Sequence, residues 1–175
     1  GGFLAVCRLV HQKGIDVLIH AYALLPLPLR RQWPLIIAGD GPERSSLEQL
    51  ANRLLPFGQV RFLGFQANPM SLYRSADVFV LSSRFEGMPN ALLEAMSCGM
   101  AVVVSNASPG PLEVVLDGYT GLVVQSDDVE ALALAMKNLA MSASFRRQLG
   151  SSALALMQKQ SWDSLDSLWR DVLAI

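Results

Sequence analysis

The chain has 175 residues, of which 51% are hydrophobic and 17% are charged. This length fits a single domain, and the apolar share excludes an intrinsically disordered chain. Fourteen Lys and Arg residues against fifteen Asp and Glu residues leave a net charge of −1, which excludes a nucleic-acid-binding protein that relies on a general basic excess. Cys7 and Cys98 are too few for a disulfide framework or a four-cysteine zinc site, so we expect two buried thiols in a reducing cytosol.

The sequence pattern predicts neither a membrane span nor a signal peptide. Residues 95–112 carry no charge, but serines, glycines and prolines interrupt them, whereas a spanning helix needs about 20 mostly apolar residues. No basic segment precedes an apolar run at the start. The chain opens with Gly1 instead of methionine and enters an apolar run at once, which predicts a piece of a longer protein.

Six short apolar runs predict β-strands. Most of them are apolar throughout instead of alternating, which is typical of parallel strands covered on both faces. The runs are Phe3–Val6, Leu35–Ala38, Val60–Leu63, Val78–Leu81, Ala101–Val104 and Leu122–Val124.

Amphipathic helical patterns separate these runs and continue after the last one. Between the strands they cover residues 15–25, 47–54 and 89–98, and Pro69 begins a further short helix before Ala76. After the last strand they cover residues 127–141, 144–157 and 161–175, with Asp127 and Ser144 as predicted N-caps. The alternation predicts one α/β domain over residues 1–175, a Rossmann-like parallel six-stranded sheet with helices on both faces and extra C-terminal helices.

Polar residues that follow the first strand are the first candidate site, because ligands of such sheets bind beyond the carboxyl ends of the strands. Arg8 and Lys13 lie between this strand and the next helix. An arginine fork, a lysine ammonium and helix amides together suit a diphosphate. The alternative is that both are solvated surface charges.

The ends of the second and third strands carry weaker signals. Gly39 and Gly41 allow a backbone to approach a ligand closely, or they only form a tight turn. Arg44 stands where a dinucleotide fingerprint needs its third glycine, which disfavours an oxidoreductase. Phe65 and Gln66 suit one side of a nucleobase, although Phe65 equally suits a core.

The segment after the fourth strand is the most informative. Glu86 lies in a loop, Pro89 begins a helix, and the amides near Asn90 and Ala91 point out of the helix N-terminus. Glu94 lies one turn beyond Asn90 among apolar neighbours, where a carboxylate needs a partner. Sugar or ribose hydroxyls would serve. The alternative is that Glu94 pairs with a cation or reaches water.

Three further segments are predicted to be structural or to support the site. Residues 105–113 form a rigid, glycine-bearing loop at the same edge as the site. Residues 117–121 form a structural turn at the opposite edge. Asp127 and Asp128 lack Asp-x-Asp metal spacing and are interpreted as a helix cap, so no metal ligands are predicted.

Taken in order, these motifs resemble those of a known family. They are Arg8-Leu9…Lys13-Gly14, Gly39-Asp40-Gly41-Pro42, Phe62-Leu63-Gly64, Ala76-Asp77-Val78, Glu86-Gly87-Met88-Pro89…Leu93-Glu94-Ala95-Met96…Gly99 and Asp117-Gly118…Thr120-Gly121-Leu122-Val123. The chain resembles the C-terminal, donor-binding domain of retaining GT-B glycosyltransferases of family four. The resemblance covers nearly the whole chain.

The resemblance implies a role for each candidate residue. The implied contacts are Arg8, Lys13, Asn90 and Ala91 for the diphosphate, Glu94 for the ribose, Glu86, Gly87, Met88 and Pro89 for the donor sugar, and Phe65 and Gln66 for the base. Glu86, Arg8 and Lys13 would be the catalytic residues. No cofactor and no metal ion would be needed. The family usually has glycine where this chain has Cys7, which puts a bulkier side chain near the phosphate path.

The resemblance also implies a function. The chain would bind a nucleotide-diphosphate sugar for retaining hexosyl transfer, and the loop at residues 108–113 is like that of members acting on polysaccharide and lipopolysaccharide precursors, which favours a UDP-sugar. A missing N-terminal domain would bind a glycan or lipid-linked acceptor and provide any peripheral contact with the inner membrane face. The protein would be cytoplasmic, without a nucleic-acid partner, and this part alone would be inactive. The alternative is a standalone nucleotide-sugar-binding or regulatory module without catalysis.

Overall fold

Six parallel strands form one sheet in the order β3-β2-β1-β4-β5-β6. The structure is a computed structural model that describes residues 1–56 and 58–159. The strands are β1 Phe3–Val6, β2 Leu35–Ala38, β3 Val60–Gly64, β4 Val78–Leu81, β5 Ala101–Ser105 and β6 Leu122–Val124. The strand order reverses between β1 and β4, which is where ligands of doubly wound sheets bind. The predicted Rossmann-like fold is confirmed.

Eight α-helices lie in the described part of the chain. They are α1 Ile15–Leu24, α2 Leu27–Gln32, α3 Arg44–Leu54, α4 Met70–Ser75, α5 Asn90–Ser97, α6 Pro109–Val114, α7 Val129–Met141 and α8 Ala143–Lys159. None of the helices described is long and apolar enough to span a membrane.

Both faces of the sheet are covered, which explains why the strands are apolar throughout. Phe3 and Ala5 of β1 pack into a cluster with α1, α3 and α7, whereas Leu4 packs into a second cluster with α5 and α8. In α1 the residues at helical spacing, among them Leu18 and Tyr22, are buried. Successive residues of a buried parallel strand therefore meet apolar neighbours on either side.

The predicted N-caps of the last two helices are each off by one or two positions. Asp128 caps α7, because its carboxylate accepts a 2.8 Å hydrogen bond from the amide of Ala131. Asp127 lies outside the helix with a φ of 60°. Ser142 precedes α8, and its hydroxyl accepts a hydrogen bond from the amide of Phe145 at 3.3 Å, so Ser144 is not the cap. The helix predicted over residues 161–175 lies outside the described residues.

Two short helices were not predicted. The segment after β5 is not a rigid loop throughout, because α6 begins at Pro109, where proline's fixed φ suits a first helical turn. Helix α2 follows Pro26, contains Pro28 in its first turn, and buries only Leu29. The turn at residues 117–121 is structural as predicted: the carboxylate of Asp117 accepts a 2.9 Å hydrogen bond from the amide of Val123.

Candidate functional site

The loops after β1 and β4 contact each other closely at the carboxyl edge of the sheet. Gly14 has a φ of 60°, and a Cβ atom there would lie 2.1 Å from the carbonyl oxygen of Ser82. The hydroxyl of Ser82 donates a 3.1 Å hydrogen bond to the carbonyl oxygen of Lys13. Only glycine combines this left-handed conformation with so close an approach. The backbone next to Lys13 is therefore fixed against the β4 loop.

Lys13 and Glu86 form an ion pair between these loops. Lys13 Nζ lies 2.6 Å from Glu86 Oε1, and the hydroxyl of Ser83 donates to the same oxygen at 2.6 Å. Glu86 is only 7% exposed, and its amide donates a 2.8 Å hydrogen bond to Ser108 Oγ. Charge-assisted hydrogen bonds of this length offset the cost of burying a carboxylate. The sequence predicted both residues for the site but not their pairing.

Arg84, which was not predicted as a site residue, joins the same loops to the start of α1 and to the loop after β6. Its guanidinium binds Asp16 through two hydrogen bonds of 2.9 and 2.8 Å. It also donates to Asp127 at 2.8 Å and to the carbonyl oxygen of His11 at 2.8 Å. Asp127 is the non-glycine residue with positive φ in the described chain, and this contact orients its side chain. Arg84 thus fixes the β1, β4 and β6 loops relative to one another.

The Asp16–Arg84 pair gives the fold a pH-dependent contribution. Burial alone would raise the pKa of Asp16, but the hydrogen bonds and charge of Arg84 outweigh it, so this pKa is lowered below 3.8. A carboxyl group with a lower pKa in the folded chain than in the unfolded chain stabilises the fold at pH values above its unfolded pKa. This contribution is lost as the pH falls through the folded pKa.

We expect Asp16→Asn to lower the free energy of unfolding by about 0.5–1 kcal/mol near pH 7, since the pair is partly exposed. Urea unfolding of both chains at a series of pH values measures this difference. The difference should stay constant down to about pH 4 and shrink below it. Glu113→Gln at an exposed position is the control, with no such change. A difference that does not shrink as the pH falls through the acid range contradicts the assignment.

A cavity of about 390 Å³ lies at the carboxyl ends of β1, β2 and β3. Arg8, Phe65 and Gln66 line it together with the ends of β1 and β2. The Phe65 side chain is 77% exposed and so is not a core residue. Arg8 is exposed and has no ion-pair partner in residues 1–56 and 58–159. The structure therefore brings together three residues that the sequence predicted for the diphosphate and the base.

Cys7 lies on the wall of this cavity, near the Lys13–Glu86 ion pair. Burial raises the pKa of its thiol to about 12, with opposing contributions from nearby Lys13 and Glu86. The thiol therefore stays protonated at neutral pH. Cys7 and Cys98 are free thiols, and both residues are half-buried instead of buried as predicted.

The N-terminus of α5 presents free amides at the same edge. Leu92 and Leu93 donate to the carbonyl oxygen of Pro89, which leaves the amides of Asn90 and Ala91 without an acceptor in the described chain. The preceding residues Gly87, Met88 and Pro89 lie against α6. A Cβ atom at Gly110 of α6 would meet the carbonyl oxygen of Gly87 at 1.8 Å, so these two backbones touch.

Glu94 lies in a different cavity. Its carboxylate accepts a 2.8 Å hydrogen bond from the hydroxyl of Tyr73. Burial and this bond raise the pKa of Tyr73, so the phenol keeps its proton. Glu94 lines a cavity with Met70 and Arg74 that shares no lining residue with the cavity of Arg8. Tyr73, which was not predicted as a site residue, is thus a partner of the Glu94 carboxylate.

The described residues contain no group of three or more His, Cys, Asp or Glu side chains that could hold a metal ion. The charges at the site are instead those of Arg8, Lys13 and Glu86. A guanidinium, an ammonium and free helix amides are groups that bind phosphate oxygens.

Comparison with known proteins identifies the family. Residues 2–155 match the family model of the group 1 glycosyl transferases. The chain belongs to this family. The crystal structure of Alr3699/HepE from Anabaena in complex with UDP and glucose is similar over 99% of this chain and 48% of that one, with 26% identity and a TM-score of 0.85.

Two curated relatives are similar to most of this glycosyltransferase chain. The O-antigen chain mannosyltransferase B of Escherichia coli is 38% identical over 156 residues, which cover 87% of this chain and 40% of the relative. The lipopolysaccharide core biosynthesis glycosyltransferase LpsE of Rhizobium meliloti is 38% identical over 146 residues, covering 83% and 41%. The chain thus spans about 40% of the length of these relatives.

Proposed function

We propose that this chain is the donor-binding part of a retaining hexosyltransferase that uses a UDP-sugar. The observation that carries the proposal is the pair of half-buried Lys13 and buried Glu86, which lies beside the cavity lined by Arg8 at the carboxyl edge of the sheet. The similarity to a protein crystallised with UDP and glucose supports the choice of nucleotide, and the similarity to a mannosyltransferase supports the transfer of a hexose.

Arg8, Lys13 and the amides of Asn90 and Ala91 would bind the diphosphate of the donor. Negative charge grows on the leaving diphosphate as the bond to the sugar breaks. Fixed cations and amides therefore stabilise the transition state more than the ground state. The half-buried position of Lys13 strengthens this effect, because charge interactions are screened less there than in bulk water.

Glu86, with Gly87, Met88 and Pro89, would face the donor sugar. Glu86 Oε1 accepts hydrogen bonds from Lys13 and Ser83, and these bonds hold the carboxylate in place. In retaining transfer, the bond between the sugar carbon and the phosphate oxygen breaks, and a bond from the acceptor oxygen forms on the same face. The acceptor proton passes to the leaving phosphate.

Phe65 and Gln66 would border the base, and Glu94 would bind the ribose hydroxyls. The exposed ring of Phe65 provides a flat apolar surface in the cavity of Arg8. The Glu94 carboxylate accepts a hydrogen bond from the Tyr73 hydroxyl. Ribose hydroxyls can donate the same kind of hydrogen bond.

The rest of the enzyme would lie outside this chain. Because the curated relatives are more than twice as long, we propose that an N-terminal domain binds a glycan or lipid-linked acceptor. This chain alone would bind the nucleotide and transfer nothing. We propose a cytoplasmic enzyme of polysaccharide or lipopolysaccharide biosynthesis, in line with the names of those relatives. A gene that encodes only this chain would favour the alternative of a module without catalysis.

Calorimetry with UDP tests the donor site. We expect this chain to bind UDP and Arg8→Ala to weaken binding by about 10- to 100-fold, the worth of hydrogen bonds to a charged group. Arg8 makes no ion pair with the described residues, so its loss should leave the fold intact.

The matched control is Arg53→Ala on α3, an exposed arginine remote from the cavity of Arg8. It should bind UDP like the unchanged chain. Equal affinity of the Arg8 variant and the unchanged chain, or no binding of UDP by either, contradicts the proposed site.

We also expect transfer to need no metal ion, because Arg8 and Lys13 supply the positive charge at the diphosphate. Initial rates of the full-length enzyme should be the same with and without an excess of EDTA. A loss of about tenfold or more that Mg²⁺ restores would contradict this role for the two side chains.

A further inference from the structure

Asp127 has a strained backbone conformation in the loop between β6 and α7. Its φ of 60° lies in the left-handed region, which costs an aspartate more free energy than a glycine. Capping of α7 does not require this side chain, because Asp128 is the N-cap. The Asp127 carboxylate instead lies next to Arg84, whose Nε donates a 2.8 Å hydrogen bond to Oδ1. A strained residue held by a specific contact is a candidate functional position.

Arg84 connects Asp127 to the loop after β1, although β5 lies between β4 and β6 in the sheet. Its guanidinium forms two hydrogen bonds with Asp16 and one of 2.8 Å with the carbonyl oxygen of His11. Its backbone amide donates a 2.7 Å hydrogen bond to the carbonyl oxygen of Gln12. All three guanidinium nitrogens thus donate to protein groups. Arg84 would therefore act on a ligand through other residues and not by direct contact.

Further contacts lead from Arg84 to Lys13. The side-chain nitrogen of Gln12 donates a 2.8 Å hydrogen bond to the carbonyl oxygen of Phe85. The hydroxyl of Ser82 donates to the carbonyl oxygen of Lys13 at 3.1 Å. Together with the two bonds from Arg84, these contacts bind three consecutive residues of the β1 loop to the β4 loop.

Folding stability alone does not explain the aspartate at position 127. Glycine there would take the same φ without the steric cost of a Cβ atom. The ion pair with Arg84 offsets little of that cost, since the Asp127 side chain is 55% exposed and exposed pairs contribute little. Asp127 therefore costs about as much stability as it contributes, which favours a role in the site.

We propose, on the basis of the function proposed above, that Asp127 and Arg84 are positioning residues for the donor diphosphate. Asp127 holds the Arg84 guanidinium, and Arg84 holds the β1 loop so that the Lys13 ammonium stays beside the cavity of Arg8. A cation that is fixed before the ligand arrives loses less conformational entropy on binding. The loop after β6 thus strengthens donor binding without contacting the donor.

Calorimetry with UDP and thermal melts of the 175-residue chain test the proposal. Asp127→Gly should bind UDP about two- to tenfold more weakly, the cost of immobilising one long side chain on binding. Its melting temperature should stay within about 2 °C of that of the unchanged chain, because relief of the left-handed strain offsets the lost ion pair. Asp127→Asn should recover most of the affinity, since asparagine tolerates this conformation and keeps an oxygen acceptor for Arg84.

The matched control is Asp128→Ala, which removes the neighbouring carboxylate and with it the N-cap of α7. This variant should melt about 2–4 °C lower and still bind UDP like the unchanged chain. If Asp127 had only a structural role, UDP affinity would instead follow the melting temperature across the variants.

Hydrogen–deuterium exchange measures the loop contact without a ligand. The peptide that contains the Arg84 amide should exchange faster in Asp127→Gly than in the unchanged chain, and Asp128→Ala should leave its exchange unaltered. Unaltered exchange in Asp127→Gly, UDP affinity equal to that of the unchanged chain, or affinity that follows the melting temperature overturns the positioning role alone. Absence of UDP binding by the unchanged chain contradicts the proposed function itself, and the positioning role with it.

Discussion

Lys13→Ala is expected to lower kcat/KM of the full-length enzyme by about 30- to 1000-fold. This is the worth of one charged group that acts on charge developing in the transition state, about 2–4 kcal/mol. The same change leaves the Glu86 carboxylate, 7% exposed, with Ser83 but without its cation. Breaking a buried pair in this way costs about 3–5 kcal/mol of folding stability. Transfer kinetics and urea unfolding measure the two effects separately.

The double variant K13A/E86Q separates catalysis from folding, since it removes both charges. We expect it to recover much of the stability lost in Lys13→Ala, because no unpaired buried charge remains. Transfer should remain at least as low as in Lys13→Ala. Full recovery of transfer in the double variant would mean that Lys13 only neutralises Glu86.

Gly14→Ala is expected to destabilise the chain far more than Gly118→Ala. Both glycines have positive φ, 60° and 71° respectively, so each alanine pays about 1–2 kcal/mol for the left-handed conformation. Only at Gly14 does the added Cβ meet a neighbour, the carbonyl oxygen of Ser82 at 2.1 Å. Moving two backbones apart should cost about 1–3 kcal/mol more. Urea unfolding of the two variants measures the difference.

The Gly14 contact also has a functional consequence, because Gly14 directly follows Lys13. Displacement of the β1 loop from the β4 loop would lengthen the 2.6 Å contact between Lys13 and Glu86. UDP binding by Gly14→Ala should therefore weaken, whereas Gly118→Ala should bind UDP normally. Equal stability and equal binding in both variants would mean that the two loops separate without cost.

The sheet was predictable because each strand has a recognisable local sequence pattern. Each strand is a short apolar run, and burial on both faces removes the alternation that an exposed face would impose, as Phe3, Leu4 and Ala5 illustrate. The strands were predicted to within one residue at each end. The N-cap of α7 was not predicted correctly, since Asp127 and Asp128 have the same capping chemistry. Only the backbone conformation distinguishes them: Asp127 takes the positive φ and binds Arg84.

Pairings across the site were not predictable in the same way. Lys13 and Glu86 are 73 residues apart, and Arg84 and Asp16 are 68 apart, so no local spacing relates them. The hydrogen bond between Tyr73 and Glu94 was not predictable either, since the two residues lie on different helices. The sequence indicated which residue types stand at the carboxyl edge of the sheet. Which of them neutralise one another depends on how the loops pack.

A crystal structure of this chain with UDP tests the central claim most directly. The account predicts the diphosphate at the carboxyl edge, with its oxygens about 3 Å from the Arg8 guanidinium, the Lys13 ammonium and the first amides of α5. The base should lie in the cavity of Phe65 and Gln66. UDP bound elsewhere, with Lys13 still paired only to Glu86 and Arg8 still facing solvent, would contradict it.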